Sequence, residues 1–183
     1  MKKRKSLWLK GMDFFDLRIE SVDNELDQIS KLVNSQIPIE VIGYFNKYKP
    51  IDVDDNRFYE DSEDVGQLRF IIFQKENTSK FVQVGYFYNP IEIISKIETM
   101  SDSVWGNLYN KLKIIPIAEN EASPYGDIVL SLSQNSIGKI YNILDYQDTL
   151  IDDESLIANN IIEYIEGVHI ISADEFNRWY MDK

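Results

Sequence analysis

The apolar residues of this chain change their spacing along its length, and that change limits the folds open to it. Val22, Leu26, Ile29 and Leu32 or Val33 recur at helical intervals over about 21–34, with Ser21 placed to cap the start. Pro38 stands where a first helical turn accepts proline, and Val41, Ile42, Phe45 and Tyr48 form a second stripe that stops before Pro50. Between about 67 and 88 the period falls to two, with Val82, Val84, Tyr86 and Tyr88 on one face of a run that ends at the turn signal Asn89-Pro90. A hairpin is expected there. Asn89, Pro90 and Glu92 then match an N-cap, a first-turn proline and a back-bonding carboxylate, which assigns Ile91, Ile94 and Ile97 to a short helix.

Farther along, Ile114 to Ala118 is a short apolar run, Asp127 to Ser133 alternates, and Gly138 to Leu144 is extended. The last two are expected to pair through Gln134, Asn135, Ser136 and Gly138, residues that tolerate unusual backbone angles. Leu156, Ile157, Ile161, Ile162 and Ile165 read as one helix stopped by Gly167, and Ser172 with Glu175 has capping-box spacing for a terminal helix docked by Phe176, Trp179 and Tyr180. Helices first, strands grouped in the middle and helices after predict an α+β fold, a mainly antiparallel or mixed sheet flanked by helices. At 183 residues the chain fits one domain. We set residues 1–20 apart as a basic N-terminal extension and take 21–183 as the domain.

Charge narrows the function. Nineteen basic residues against 31 acidic ones give −12, which argues against a phosphate-binding surface for nucleic acid and for a cationic partner. Residues 1–20 carry six basic and three acidic side chains (6 − 3 = +3), so the body is at −15. Lys2, Lys3, Arg4 and Lys5 resemble the start of a signal peptide, but Lys10, Asp13 and Asp16 interrupt the apolar stretch that should follow. No run reaches the 18 or so apolar residues of a membrane span, so we expect a cytoplasmic protein with no membrane partner. The lack of cysteine excludes disulfides, thiolate nucleophiles and Cys-rich zinc sites.

Motifs for chemistry are weak. His169, the sole histidine, lies in the short apolar stretch Val168–Ile171 and reads as structural. Ser136 and Lys139 satisfy a Ser-x-x-Lys pattern, yet the turn residues around them deny the helix that such a nucleophile needs. Asp52, Asp54, Asn56, Glu60 and Glu63 fall at calcium-loop positions, but Arg57 stands where the loop requires glycine. We therefore expect no catalytic residue, no metal site and no cofactor.

The same stretch has another meaning. Seven acids, Asp52, Asp54, Asp55, Glu60, Asp61, Glu63 and Asp64, face a single base, Arg57, with Phe58 and Tyr59 interleaved. Such crowding is either a solvated acidic loop or a surface that imitates a phosphate array and docks a basic, nucleic-acid-processing partner. Asp145, Asp148, Asp152, Asp153 and Glu154 could extend that surface or simply compensate a helix N-terminus. The candidate partner-binding residues are thus Asp52, Asp54, Asp55, Phe58, Tyr59, Glu60, Asp61, Glu63, Asp64, Asp148, Asp152 and Asp153.

Several short segments together resemble the SUKH superfamily. They are Ile37-Pro38 with the following Ile39–Phe45, then Ile115-Pro116-Ile117-Ala118-Glu119, Gly126–Leu130, Gly138–Tyr141 and Ile157-Ala158-Asn159-Asn160. The resemblance spans roughly 21–166; it departs at the stretched turn Asn120–Gly126 and at Asn142-Ile143-Leu144, where the family often carries tryptophan. It implies a single SUKH-like α+β domain without enzymatic activity, either an immunity protein that occludes the active site of a cognate bacterial toxin or a regulatory scaffold like the fungal cell-wall-assembly members.

Overall fold

Period-two segments pair into one sheet, and the helical stripes pack against it. The computed structural model describes residues 9–51, 69–74, 81–103, 108–121, 126–144 and 155–181. In chain order they form a 3-10 turn (Gly11–Phe14), β1 (Phe15–Leu17), α1 (Asp23–Leu32), α2 (Ile39–Lys47) and β2 (Tyr48–Pro50). There follow β3 (Arg69–Gln74), β4 (Phe81–Phe87), α3 (Pro90–Ser101), α4 (Leu108–Leu112), β5 (Ile114–Asn120), β6 (Asp127–Ser131) and β7 (Ile140–Ile143). The chain closes with β8 (Leu156–Ala158), α5 (Ile161–Glu166), β9 (Val168–Ser172) and α6 (Ala173–Met181). Seven strands make a sheet in the order β8-β7-β6-β5-β4-β3-β9, every neighbouring pair antiparallel. The fold is α+β, as the order of periods predicted.

The core sits on the middle strands. β6 is buried at all five positions and β5 at all but Glu119, because α3 and α4 lie against β5 and α1 packs on α3. Ile114, Ile115, Ile128, Leu130 and Ile140 are fully buried, each contributing about 1.5–3 kcal/mol of transfer free energy. On β3 and β4 the packing is aromatic: Tyr164 of α5 stacks at 5.3 Å from Phe73, and Phe87 meets Phe14 at 5.7 Å. β1 pairs with β2 as a separate ribbon, from Phe15 opposite Pro50 to Leu17 opposite Tyr48.

Local signals decided several elements. Asn89 Oδ1 accepts from the amides of Ile91 and Glu92 at 3.0 and 3.1 Å, while Glu92 Oε2 accepts from the Asn89 amide at 2.6 Å, the reciprocal box that starts α3. The β3–β4 and β6–β7 hairpins form as expected, with Phe73 opposite Val82 and Leu130 opposite Ile140. At the last helix Ser172 Oγ accepts from the Glu175 amide at 3.2 Å, and Phe176 rests edge-on at 5.6 Å from Phe81.

Elsewhere the structure corrects the expectation. Leu156 and Ile157 belong to β8, not to the helix after it, because pairing with β7 gives their backbone a ladder. Tyr48 leaves α2 for β2 on the same ground. Pro38 is the N-cap of α2, with ψ 144°, and not a first-turn residue. The N-cap of α1 is Val22, whose amide donates to Asn46 Oδ1 at 2.9 Å, while Ser21 Oγ takes the Asp23 amide at 3.2 Å. In α3 the inward residues are Ile93, Ile94 and Ile97, and Ile91 is exposed. Gly167 does end α5, but with φ −81°. A β-carbon there would stand 2.5 Å from the Phe73 ring, so close packing, not a left-handed turn, requires glycine. Residues 9–17, grouped above with the basic terminal stretch, are built into the body: Phe14 is buried, Lys10 bridges His169, and the Ile170 amide donates to the Leu9 carbonyl at 3.1 Å.

Candidate functional site

Asp127, at the first position of β6, is the one charged side chain that is fully buried among the described residues. Such a carboxylate is tolerated only when its lone pairs are engaged, and three elements supply the partners. Tyr88, just past β4, donates its hydroxyl to Oδ1 at 3.0 Å; Tyr109 of α4 donates to Oδ2 at 2.5 Å. Lys96 of α3 puts Nζ 3.1 Å from Oδ1 and 3.2 Å from the Tyr88 hydroxyl, and lies 5.5 Å from that ring's centroid. The capping box at Asn89 fixes where α3 starts and so where Lys96 points.

This arrangement stores no free base. Burial, and then the neighbouring Asp127 charge, push the Tyr88 hydroxyl far above its ordinary range, so it keeps its proton. Each Asp127 oxygen receives a hydroxyl, and the ion-paired Lys96 is partly exposed. The cluster therefore ties β4, α3, α4 and β6 together as a brace.

An acidic surface adjoins it. Gly85 lies on β4 beneath two carboxylates: a β-carbon at that glycine would be 2.5 Å from Glu119 Oε2 and 2.9 Å from Glu121 Oε2. Burial first, and then the charge of Glu121, raise the Glu119 carboxyl above its ordinary value, with Lys96 partly offsetting them. Tyr86 stands beside the pair, edge-on to Tyr88 at 5.0 Å. Its hydroxyl is raised by burial and then by Glu119 and Glu92. Glu92, Glu119, Glu121 and Tyr86 thus make one acidic–aromatic face on described residues.

Each candidate partner-binding residue read from the sequence, from Asp52 to Asp64 and at Asp148, Asp152 and Asp153, lies outside the described residues. So does the calcium-like spacing. Of the weak catalytic motifs, Ser136 hydrogen-bonds Ser131 Oγ at 2.7 Å and turns its carbonyl to the Lys139 amide at 3.0 Å, within the β6–β7 connection. His169 lies on β9 with Nδ1 3.1 Å from the Gly167 carbonyl. Among the described residues no three His, Asp or Glu side chains gather as metal ligands, and no helix is long and apolar enough to cross a membrane.

Sequence reasoning did not find Asp127, Lys96 and Tyr109, since nothing local links residues 88, 96, 109 and 127. Gly85 inside an alternating strand was the one available signal of a close approach. No family model, no curated protein and no solved structure matches the chain.

Proposed function

We propose that this chain is a non-enzymatic immunity protein that works in the cytoplasm, where it binds a basic cognate toxin and occludes its active site. The observation that carries this reading is the charge: seven acids against one base over residues 52–64, within a body at −15. Two further features support it. Exposed Glu92 and Glu121, with the half-buried Glu119 between them, add acid to a scaffold whose buried carboxylate is locked by hydroxyls and an ammonium. The short segments that resemble the SUKH superfamily point to inhibitors of the same kind, and a toxin that acts on nucleic acid has the basic cleft such a surface fits.

Acidic groups at this density act chiefly on the rate of encounter. For a toxin encoded beside this gene, the association rate measured by surface plasmon resonance should fall about tenfold or more from low to high salt. Replacing Asp52, Asp54, Asp55, Asp61 and Asp64 by Asn should lower it further, and co-expression of the unaltered chain should restore growth of a toxin-producing host. A rate indifferent to salt and to the five substitutions, or a host that dies despite folded protein, would contradict the proposal. Stable capture of several non-toxin proteins instead would favour a scaffold.

A further inference from the structure

Among the described residues, three buried side-chain atoms have no hydrogen-bond partner: Nη2 of Arg18 and the hydroxyls of Tyr44 and Tyr164. A donor sealed from water and left unpaired raises the free energy of the folded state, so three around one element require a reason. That element is the β1–β2 ribbon. Arg18 follows β1 directly, and its Nε donates to the carbonyls of Phe45 and Tyr48 at 2.8 and 3.4 Å. The ribbon's two rings pack on Tyr44, Phe15 edge-on at 5.8 Å and Tyr48 at 5.6 Å. Phe15 also lies 4.9 Å from Phe87, which stands edge-on to Tyr164 at 6.2 Å.

The ribbon is loosely fastened. Its strands lie outside the seven-strand ladder, and two paired strands alone are marginal in water. No position of β1 or β2 is fully buried, whereas β6 is buried throughout. Leu17 at its end is 67% exposed, and Ile19 just beyond is 100% exposed. Beneath the rings the packing is incomplete: Phe15 and Tyr48 face Phe87, Ile117 and Tyr164 across a hollow with room for about one water. Opening the ribbon therefore gives up little buried surface and hands three unpaired donors to water, the conditions under which one part of a fold opens ahead of the rest.

We infer that the β1–β2 ribbon is a flap that opens as one unit while the seven-strand sheet stays folded, hydrating Arg18, Tyr44 and Tyr164 and uncovering Phe87 and Ile117. The contacts of Arg18 Nε are the clasp that holds it shut. This device does not rest on the toxin-binding reading. Native-state hydrogen exchange of the full chain, followed by nuclear magnetic resonance over a series of low urea concentrations, tests it. The amides of Arg18 and Ile51 donate to the Lys47 and Phe14 carbonyls at 2.8 and 2.9 Å and report the two ends of the ribbon. The Ser131 amide, which donates to the Lys139 carbonyl at 2.9 Å, reports the sheet. Arg18 and Ile51 should exchange together, at least about 100-fold faster than Ser131 and with a shallower dependence on urea. Tyr44→Phe and Tyr164→Phe keep the rings and remove the unpaired hydroxyls, so each should slow Arg18 and Ile51 about fivefold. Exchange of Arg18 and Ile51 at the rate and urea dependence of Ser131 would overturn the inference, because no opening short of global unfolding would exist. Different urea dependences at Arg18 and Ile51 would do the same, as independent fraying of two ends. So would variants that slow Ser131 and leave Arg18 and Ile51 unchanged, since the hydroxyls would then stay buried in the open state. If either variant fails to fold, the urea series on the unaltered chain decides alone.

Discussion

Two buried polar clusters in this molecule solve the same problem in opposite ways. Around Asp127 a carboxylate, two hydroxyls and an ammonium satisfy one another at 2.5–3.2 Å. Around Tyr44 the hydroxyls of Tyr44 and Tyr164 and one guanidinium nitrogen of Arg18 find no partner among the described residues. Both clusters draw on several elements, so the difference does not come from local folding. It comes from where the acceptors stand: Asp127 is set among donors at the first, while at the second the Phe45 and Tyr48 carbonyls take only Nε of Arg18. A closed network holds a fold together, whereas unpaired buried donors carry an uncompensated desolvation cost.

That contrast can be broken most easily at its closed end. Lys96→Met strips the cation from a fully buried carboxylate, which should cost about 2–3 kcal/mol in urea unfolding with an unchanged m-value. A loss near zero would mean that the hydroxyls alone carry Asp127 and that the brace is weaker than its geometry suggests.

The contrast sharpens, with a smaller effect, at the acidic face. Folding raises the Glu119 carboxyl, so the folded state takes up its proton at a higher pH than the unfolded state does. Stability is therefore lost as pH rises from the unfolded value toward the folded one, and the penalty is complete above both. Glu119→Gln should raise Tm slightly at pH 7, within about 0.5 kcal/mol for a partly exposed group screened by solvent. The gain should vanish below about pH 4. A variant less stable than the parent at pH 7 would show that Glu119 has a stabilising partner.

What could be read along the chain was what neighbours in sequence decide. Asn89, Pro90 and Glu92 announced α3 because a capping box closes within four residues, and the β6–β7 hairpin followed from alternation on both sides of a short polar connection. Leu156 and Ile157 were misread because an isoleucine-rich run fits both periods, and only the distant β7 ladder chooses between them. Gly167 was read from its position after a helix, while its cause is the ring of Phe73, far away in sequence. Both clusters were hidden for that reason too. Tyr88, Lys96, Tyr109 and Asp127 come from four separate elements, as Arg18, Tyr44 and Tyr164 come from three stretches, and no spacing rule joins them. The acidic run over 52–64 was plain in the sequence, since crowded like charge needs no fold to be seen.

The most direct measurement compares two conservative substitutions, one in each cluster. Tyr109→Phe removes a donor from a buried carboxylate, and Tyr164→Phe removes a hydroxyl that bonds nothing, so their unfolding free energies in urea should shift in opposite directions. Tyr109→Phe should lose about 1–3 kcal/mol, and Tyr164→Phe should be neutral or gain up to about 1 kcal/mol. Similar losses for the two would contradict the distinction between a closed brace and an unpaired cluster.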